Sequence, residues 1–129
     1  MSDILQTLGL SASGMTAQAN RLRHVSENLA NADTPGYRRK TVSFDIDTRG
    51  PVPGAVHVGK VQLDKSELTK IYDPNHPLAR ENGTYEGSNV DMLIELADAR
   101  EAQRSYEANL KIFDQARQMS QGLIELLRR

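Results

Sequence analysis

Residues Ile4 to Leu29 read ILQTLGLSASGMTAQANRLRHVSENL. Within this stretch Ile4, Leu8, Ser11, Met15, Gln18, Leu22, Val25 and Leu29 alternate spacings of four and three, so Leu8, Met15, Leu22 and Leu29 stand seven apart. That period is the seam of a coiled-coil helix. No proline occurs before Pro35, and the pattern predicts one helix from about Asp3 to Asn31, roughly 43 Å long at 1.5 Å per residue. The seam is weak. Ser11 and Gln18 are polar, and Gly9 and Gly14 each cost about 1 kcal/mol against Ala in a helix interior. Such a helix needs something to pack on.

Just beyond it, Pro35 pushes Thr34 out of the helical region, and Pro35-Gly36 has the residue order of the central pair of a type II turn. From Tyr37 to Gly87 the character of the chain changes, with all 5 prolines between Pro35 and Pro77 and most of the aromatic residues. Lys40 to Ile46 alternates apolar and polar side chains, as does Val52 to Leu63, and shorter fragments at Leu68–Tyr72 and Thr84–Tyr85 follow. Glycine and proline cut each of them short, which predicts a small β-rich insert of short strands.

Ser88-x-x-Asp91 resembles a capping box, and no proline or internal glycine interrupts the next stretch until Gly122. A second stripe runs through Met92, Leu96, Ala99, Gln103, Tyr106, Leu110, Phe113, Ala116, Ser120, Leu123 or Ile124, and Leu127. Glu107 with Lys111 and Glu125 with Arg129 are pairs four apart in the favourable order. Arg128-Arg129 suit the negative end of the helix dipole.

The expected fold is therefore mainly α with a small β insert: an N-terminal heptad helix in residues 1–32, a turn motif and β-rich insert in 33–87, and a C-terminal heptad helix in 88–129. The two helices are expected to form an antiparallel coiled-coil pair. One seam is too polar and the other face too wide for a single pairing to bury everything. Ile4, Leu8, Met15, Leu22, Val25, Leu29, Met92, Leu96, Tyr106, Leu110, Phe113, Leu123 and Leu127 are thus candidates for an assembly interface with neighbouring subunits.

Other function classes lose their footing in the composition. Across 129 residues, 16 basic side chains oppose 17 acidic ones, giving a net charge of −1, and no field favours nucleic acid or an acidic membrane surface. The absence of Cys removes disulfides, thiolate metal sites and cysteine nucleophiles. His24, His57 and His76 fall one to a region, without the spacing of metal ligands. Asp45-x-Asp47 opens like a calcium loop, but the later ligands and the glycine do not follow. No phosphate-binding glycine loop or nucleophile elbow occurs, and no cofactor is expected. Arg38-Arg39-Lys40 is read as a solvated strand edge. The mean hydropathy of −0.56 and the lack of an 18-residue apolar run argue against membrane insertion, and the first thirty residues lack the layout of a cleaved signal.

The stretch Asn28-Leu29-Ala30-Asn31-Ala32-Asp33-Thr34-Pro35-Gly36-Tyr37 resembles the signature of bacterial flagellar rod, hook and related axial proteins. Its motif residues here are Asn28, Leu29, Ala30, Asn31, Thr34, Pro35, Gly36 and Tyr37. Tyr72 to Ala79 (YDPNHPLA), Ser88 to Met92 (SNVDM) and Arg104 to Asn109 (RSYEAN) are similar to the corresponding parts of FlgC-type proximal rod proteins. One departure is that FlgC-type chains often carry a longer insertion before the Tyr-Arg, whereas Thr34-Pro35-Gly36 is the compact form shared with the FlgB type.

The resemblance implies a non-enzymatic structural subunit, made in the cytoplasm, exported by the flagellar type III apparatus and assembled into the rod that crosses the periplasm. It implies as partners further copies of itself, rod subunits of the FlgB, FlgF and FlgG types, and the rod-base adaptor of the FliE type. A FlgB-type subunit is the alternative within the family, and a soluble coiled-coil adaptor the alternative outside it.

Overall fold

A computed structural model describes residues 2–129. Helix α1 spans Ser2–Ala30 and helix α2 spans Met92–Arg128, with six short strands between them: β1 Lys40–Thr41, β2 Phe44–Asp47, β3 Ala55–Val58, β4 Gln62–Leu63, β5 Lys70–Tyr72 and β6 Thr84–Glu86. The helices lie side by side in opposite directions. Gly14 faces Asn109, Arg21 bonds Asp98, and Asn28 bonds Glu95, so residue numbers rise along one helix as they fall along the other.

Helix α1 ends at Ala30, four residues before Thr34, which Pro35 bars from the helical region. The Tyr37 N–H donates to the Thr34 carbonyl at 3.2 Å across Pro35-Gly36, and Gly36 has φ 74°, the left-handed value that the second central residue of a type II turn needs. The Gly36 N–H also donates to the carbonyls of Glu86 and Gly87, at 3.2 and 3.0 Å, fastening the turn to the end of β6. At the other helix start the N-cap is Asp91, whose carboxylate accepts from the Leu93 N–H at 3.0 Å. Ser88, expected to open this helix, instead turns its hydroxyl to the Ala32 carbonyl, joining the approach to α2 to the exit from α1.

The strands form three antiparallel pairs, β1 with β4, β2 with β3, and β5 with β6. The first two pairs are segments of one hairpin. Between them Val42 and Ser43 on one arm oppose Gly59, Lys60 and Val61 on the other, so the register slips by one residue from Phe44↔Val58 to Thr41↔Gln62. One extra residue on one arm is a bulge, and it splits each of the two alternating runs into two strands. The third pair carries Ile71 opposite Tyr85, with the His76 ring stacked on Tyr85 at 3.9 Å between centroids.

The core is thin and made of small side chains. Its fully buried apolar members are Ala17, Val25, Ala102 and Ala116, joined by the polar residues Ser11, His24, Asn28, Ser88 and Glu95. Glu95, Ala102, Asn109 and Ala116 stand seven apart on α2, and all four are buried or half-buried. The helix pairing thus departs in part from the stripes the apolar residues mark: Ser11, Val25 and Ala116 of those stripes are buried, while Met15, Leu22 and Leu110 are not. On α1 the residues meeting α2 include Gly14, Arg21 and Asn28, each one position before Met15, Leu22 and Leu29. Small side chains let the two backbones approach, and the larger apolar ones are left on the flanks.

An adjoining side of α1 receives the hairpin. The Val56 N–H donates to the Ser13 hydroxyl at 3.1 Å, and a methyl group built on Gly9 would sit 3.1 Å from Val52. Helix α1 is therefore the middle layer, between α2 and the insert.

Candidate functional site

Where α1, the hairpin and α2 meet, polar groups distant in sequence are drawn together around Asn28. The Asn28 amide pairs with the backbone of Lys40 as a strand neighbour would, its oxygen accepting from the Lys40 N–H at 2.9 Å and its nitrogen donating to the Lys40 carbonyl at 3.0 Å. The Tyr37 hydroxyl donates to the same oxygen at 2.9 Å. Burial pushes the Tyr37 hydroxyl pKa up, which keeps it a donor. Asn28 also donates to Glu95 at 3.3 Å, so one side chain ties the helix end, the first strand and the second helix.

Glu95 is fully buried, and its charge is met by the Arg39 Nε. The same guanidinium reaches Asp98 at 3.2 Å and Asp64 at 3.6 Å, while Arg21 closes on Asp98 at 3.1 Å. Burial works against the Arg39 charge, but the hydrogen bond and attraction of Glu95, helped by Asp98 and Asp64, outweigh it and raise its pKa. Asn89 completes the joint, accepting from the Arg39 N–H at 2.7 Å and donating to the Asp64 carbonyl at 3.0 Å. Arg38 donates to the carbonyls of Asp64 and Ser66, and Lys40 pairs with Glu27 at 2.7 Å. The basic run read as a solvated edge is thus a set of tethers.

These contacts explain the sequence motif. Asn28 and Tyr37 are joined; Asn31 donates to the Glu27 carbonyl at 2.8 Å and accepts from the Thr34 hydroxyl at 3.1 Å. Pro35 and Gly36 form the turn, while Leu29 is half-buried and Ala30 exposed. The sequence marks Arg39 only as part of a basic strand edge, Asn89 only within the SNVDM stretch, and Glu95 only as an acid in a first helical turn, where macrodipole compensation already accounts for an acidic side chain.

The candidate interface residues separate into two groups. Val25 is buried, and Ile4, Leu8, Met15, Leu22, Leu29, Tyr106 and Phe113 are half-buried; Met92, Leu96, Leu110, Leu123 and Leu127 are exposed, as are Leu93 and Ile94. Leu93 is 78% and Leu127 82% accessible. Most of the large exposed apolar side chains of the described residues lie on α2, with Leu5, Phe44, Ile46, Val61, Leu63, Tyr72 and Leu78 elsewhere.

Among the described residues no cluster of three or more His, Asp or Glu is placed to hold a metal. His24 is buried on α1, His57 lies 4.0 Å from Asp45 on the exposed face of the hairpin, and His76 stacks on Tyr85. Asp47 accepts from the N–H groups of Arg49 and Gly50, which closes its turn and lowers its pKa. No described helix is long and apolar enough to cross a membrane.

Comparison with known proteins gives this architecture a class. Residues 8–38, covering most of α1 and the turn, match the family model described as flagella basal body rod protein, and residues 81–126 match that of the flagellar basal body rod FlgEFG protein C-terminal region. The two matches fall on the helices and the joint between them. Whole-chain similarity is narrower. The FlgC rod protein of Agrobacterium fabrum is 45% identical over 128 residues, covering 92% of this chain and 91% of the relative. That of Salmonella typhimurium is 33% identical over 90% and 92% of the two chains, and that of Bacillus subtilis 34% identical over 93% and 95%. The chain belongs to the FlgC family of flagellar basal-body rod proteins. It is a structural subunit of the rod, part of the flagellum and not an enzyme.

Proposed function

We propose that the two terminal helices are the assembly surface of this subunit, joining it in coiled-coil fashion to neighbouring subunits while the insert of residues 33–87 faces away from them. The observation that supports this is the number of large apolar side chains left exposed along α2, Leu93, Leu96, Leu110, Ile112, Leu123 and Leu127 among them, 39 to 82% accessible. On this reading the subunit is exported through the flagellar type III apparatus and packs in the periplasm against rod subunits of the FlgB, FlgF and FlgG types and against the FliE-type adaptor. The helix flanks supply the contact, and the joint around Asn28 holds the helices in the geometry that the contact requires.

The test is a charge placed among these exposed side chains. Leu110→Asp should leave synthesis intact and abolish motility, because a carboxylate there has to be desolvated against a neighbouring helix at a cost of several kcal/mol. Glu107→Ala, at an exposed position of the same helix, should cost at most about 0.3 to 0.5 kcal/mol and leave motility unchanged. Equal motility of the two variants would refute the assignment of this face.

A further inference from the structure

Two features at the far end of the helix pair fit one another but cannot meet within one chain. The first is a mainly apolar groove between the start of α1 and the late part of α2, bounded by Ile4, Ile112, Ala116 and Met119, with Asp3 at its rim. The second is the last stretch of α2. Every residue from Gln121 onward is exposed, and a methyl group built on Gly122 would have no neighbour within 4 Å. This stretch carries Leu123, Ile124, Leu126 and Leu127 and ends in Arg128, so it is an uncovered apolar rod of about two turns, roughly 12 Å at 1.5 Å per residue.

We propose that the end of α2, residues 121–128, seats in the Ile4/Ile112/Met119 groove of a second copy of this chain. The proposal rests on the reading of the helices as assembly surface and names one contact and its partner. Three observations favour a second copy. The groove from Ile112 to Met119 is as long as the stretch that would fill it. When the two α2 helices run parallel with Leu123 beside Ile112, a stagger of about 17 Å or slightly less at 1.5 Å per residue, Arg128 arrives at the end of the groove where Asp3 stands. The charges are therefore opposite where the two surfaces close. Finally, knob and groove are different surfaces of the same chain, so each added copy offers a new groove and a new end; such a contact is heterologous and propagates instead of closing as a symmetric dimer does.

The absence of Cys makes the contact directly testable. In the double variant Gln115→Cys, Glu125→Cys both replaced side chains are exposed. Ten residues apart on one helix they stand about 15 Å from each other, beyond the reach of an intramolecular disulfide. Oxidation of purified basal bodies should give a ladder of dimers and higher multimers of this chain on a non-reducing gel, absent from both single variants. Adding Arg128→Asp should lower the ladder yield severalfold, and adding Asp3→Arg to that variant should restore it. No ladder from basal bodies that contain the double variant in normal amount overturns the contact while leaving the assembly role of the helices standing. If the double variant is not incorporated, the photo-reactive residue benzoylphenylalanine at Gln121 carries the same test: a product with residues 3–7 or 112–119 of a second copy supports the contact. A product with another subunit, or with another face of this one, overturns it. Failure of the wider reading has a separate signature, which is normal incorporation of Leu110→Asp.

Discussion

Arg39→Leu should be the most damaging single substitution in the joint. Glu95 is fully buried and receives two donors from the protein, Arg39 and the Asn28 amide. Without the guanidinium, the carboxylate keeps its burial and loses its countercharge. Breaking a buried pair from one side costs about 3 to 5 kcal/mol; because the Arg39 side chain is 20% exposed, the lower end, about 3 kcal/mol, applies. Asp98 keeps Arg21 and Asp64 keeps the Ser66 N–H, so the loss is concentrated at Glu95. Removing both ends should be far milder. In Arg39→Leu, Glu95→Leu the Asn28 amide still holds both of its bonds to Lys40 and loses only its 3.3 Å donation to Glu95, and an apolar replacement of a buried ion pair is often neutral. For a domain with a stability of about 5 to 15 kcal/mol and a thin core, the single variant should lose a large share of its folded population. Urea unfolding of the purified chain at pH 7, followed by far-ultraviolet circular dichroism, measures both. A single variant within about 0.5 kcal/mol of the parent, the range of an ordinary surface change, would refute the reasoning, as would a double variant no better than the single one.

At Gly36 the built methyl meets nothing within 4 Å, so any penalty there is backbone strain at φ 74°: Gly36→Val should cost about 1 to 3 kcal/mol and Gly36→Asn clearly less, measured by denaturant midpoint, and equal costs would show the turn free to change its form. Gly122→Ala should stabilise α2 by up to about 1 kcal/mol, seen as a higher melting temperature of the helical signal. Gly14→Ala has the same propensity gain but must displace the Asn109 amide, 2.7 Å from the new carbon, from its bond to the Ser105 carbonyl, and should fall short of Gly122→Ala. On acidification, Glu27, Asp47 and Asp64 all have folded pKa values held below the ordinary 4.5 and 3.8, by the Lys40 hydrogen bond, by the Arg49 and Gly50 N–H groups, and by the Ser66 backbone and hydroxyl. A depressed carboxylate stabilises the fold above its unfolded pKa and ceases to do so as pH falls through the lower folded value. Stability should therefore decline from about pH 4.5 downward, and Asp47→Asn should make that decline shallower in an acid titration of the urea midpoint.

Local rules decided much of this protein before any packing was known. The seven-residue period from Ile4 to Leu29 and the uninterrupted run after Asp91 required helices, since only that conformation puts those side chains on one side. Pro35-Gly36 required the turn, because proline fixes one backbone angle and glycine alone reaches the next without strain. The motif from Asn28 to Tyr37 was legible as a unit and as a resemblance, and the family followed from it.

Tertiary structure decided which side of each helix faces the other. The period marks a stripe of apolar residues, but the pairing departs from it in part, with Gly14 instead of Met15 and Ala102 instead of Leu96, because small side chains allow close approach. The bulge in Gly59–Val61 and the transfer of the cap from Ser88 to Asp91 depend on partners far along the chain. So does the joint itself. Glu95 is 67 residues from Asn28 and 56 from Arg39, and a buried carboxylate can be recognised only once the groups that neutralise it have been brought beside it. Sequence periodicity reports the side chains that water disfavours; which of them the chain covers itself, and which it leaves for a neighbour, is a property of the packed helices.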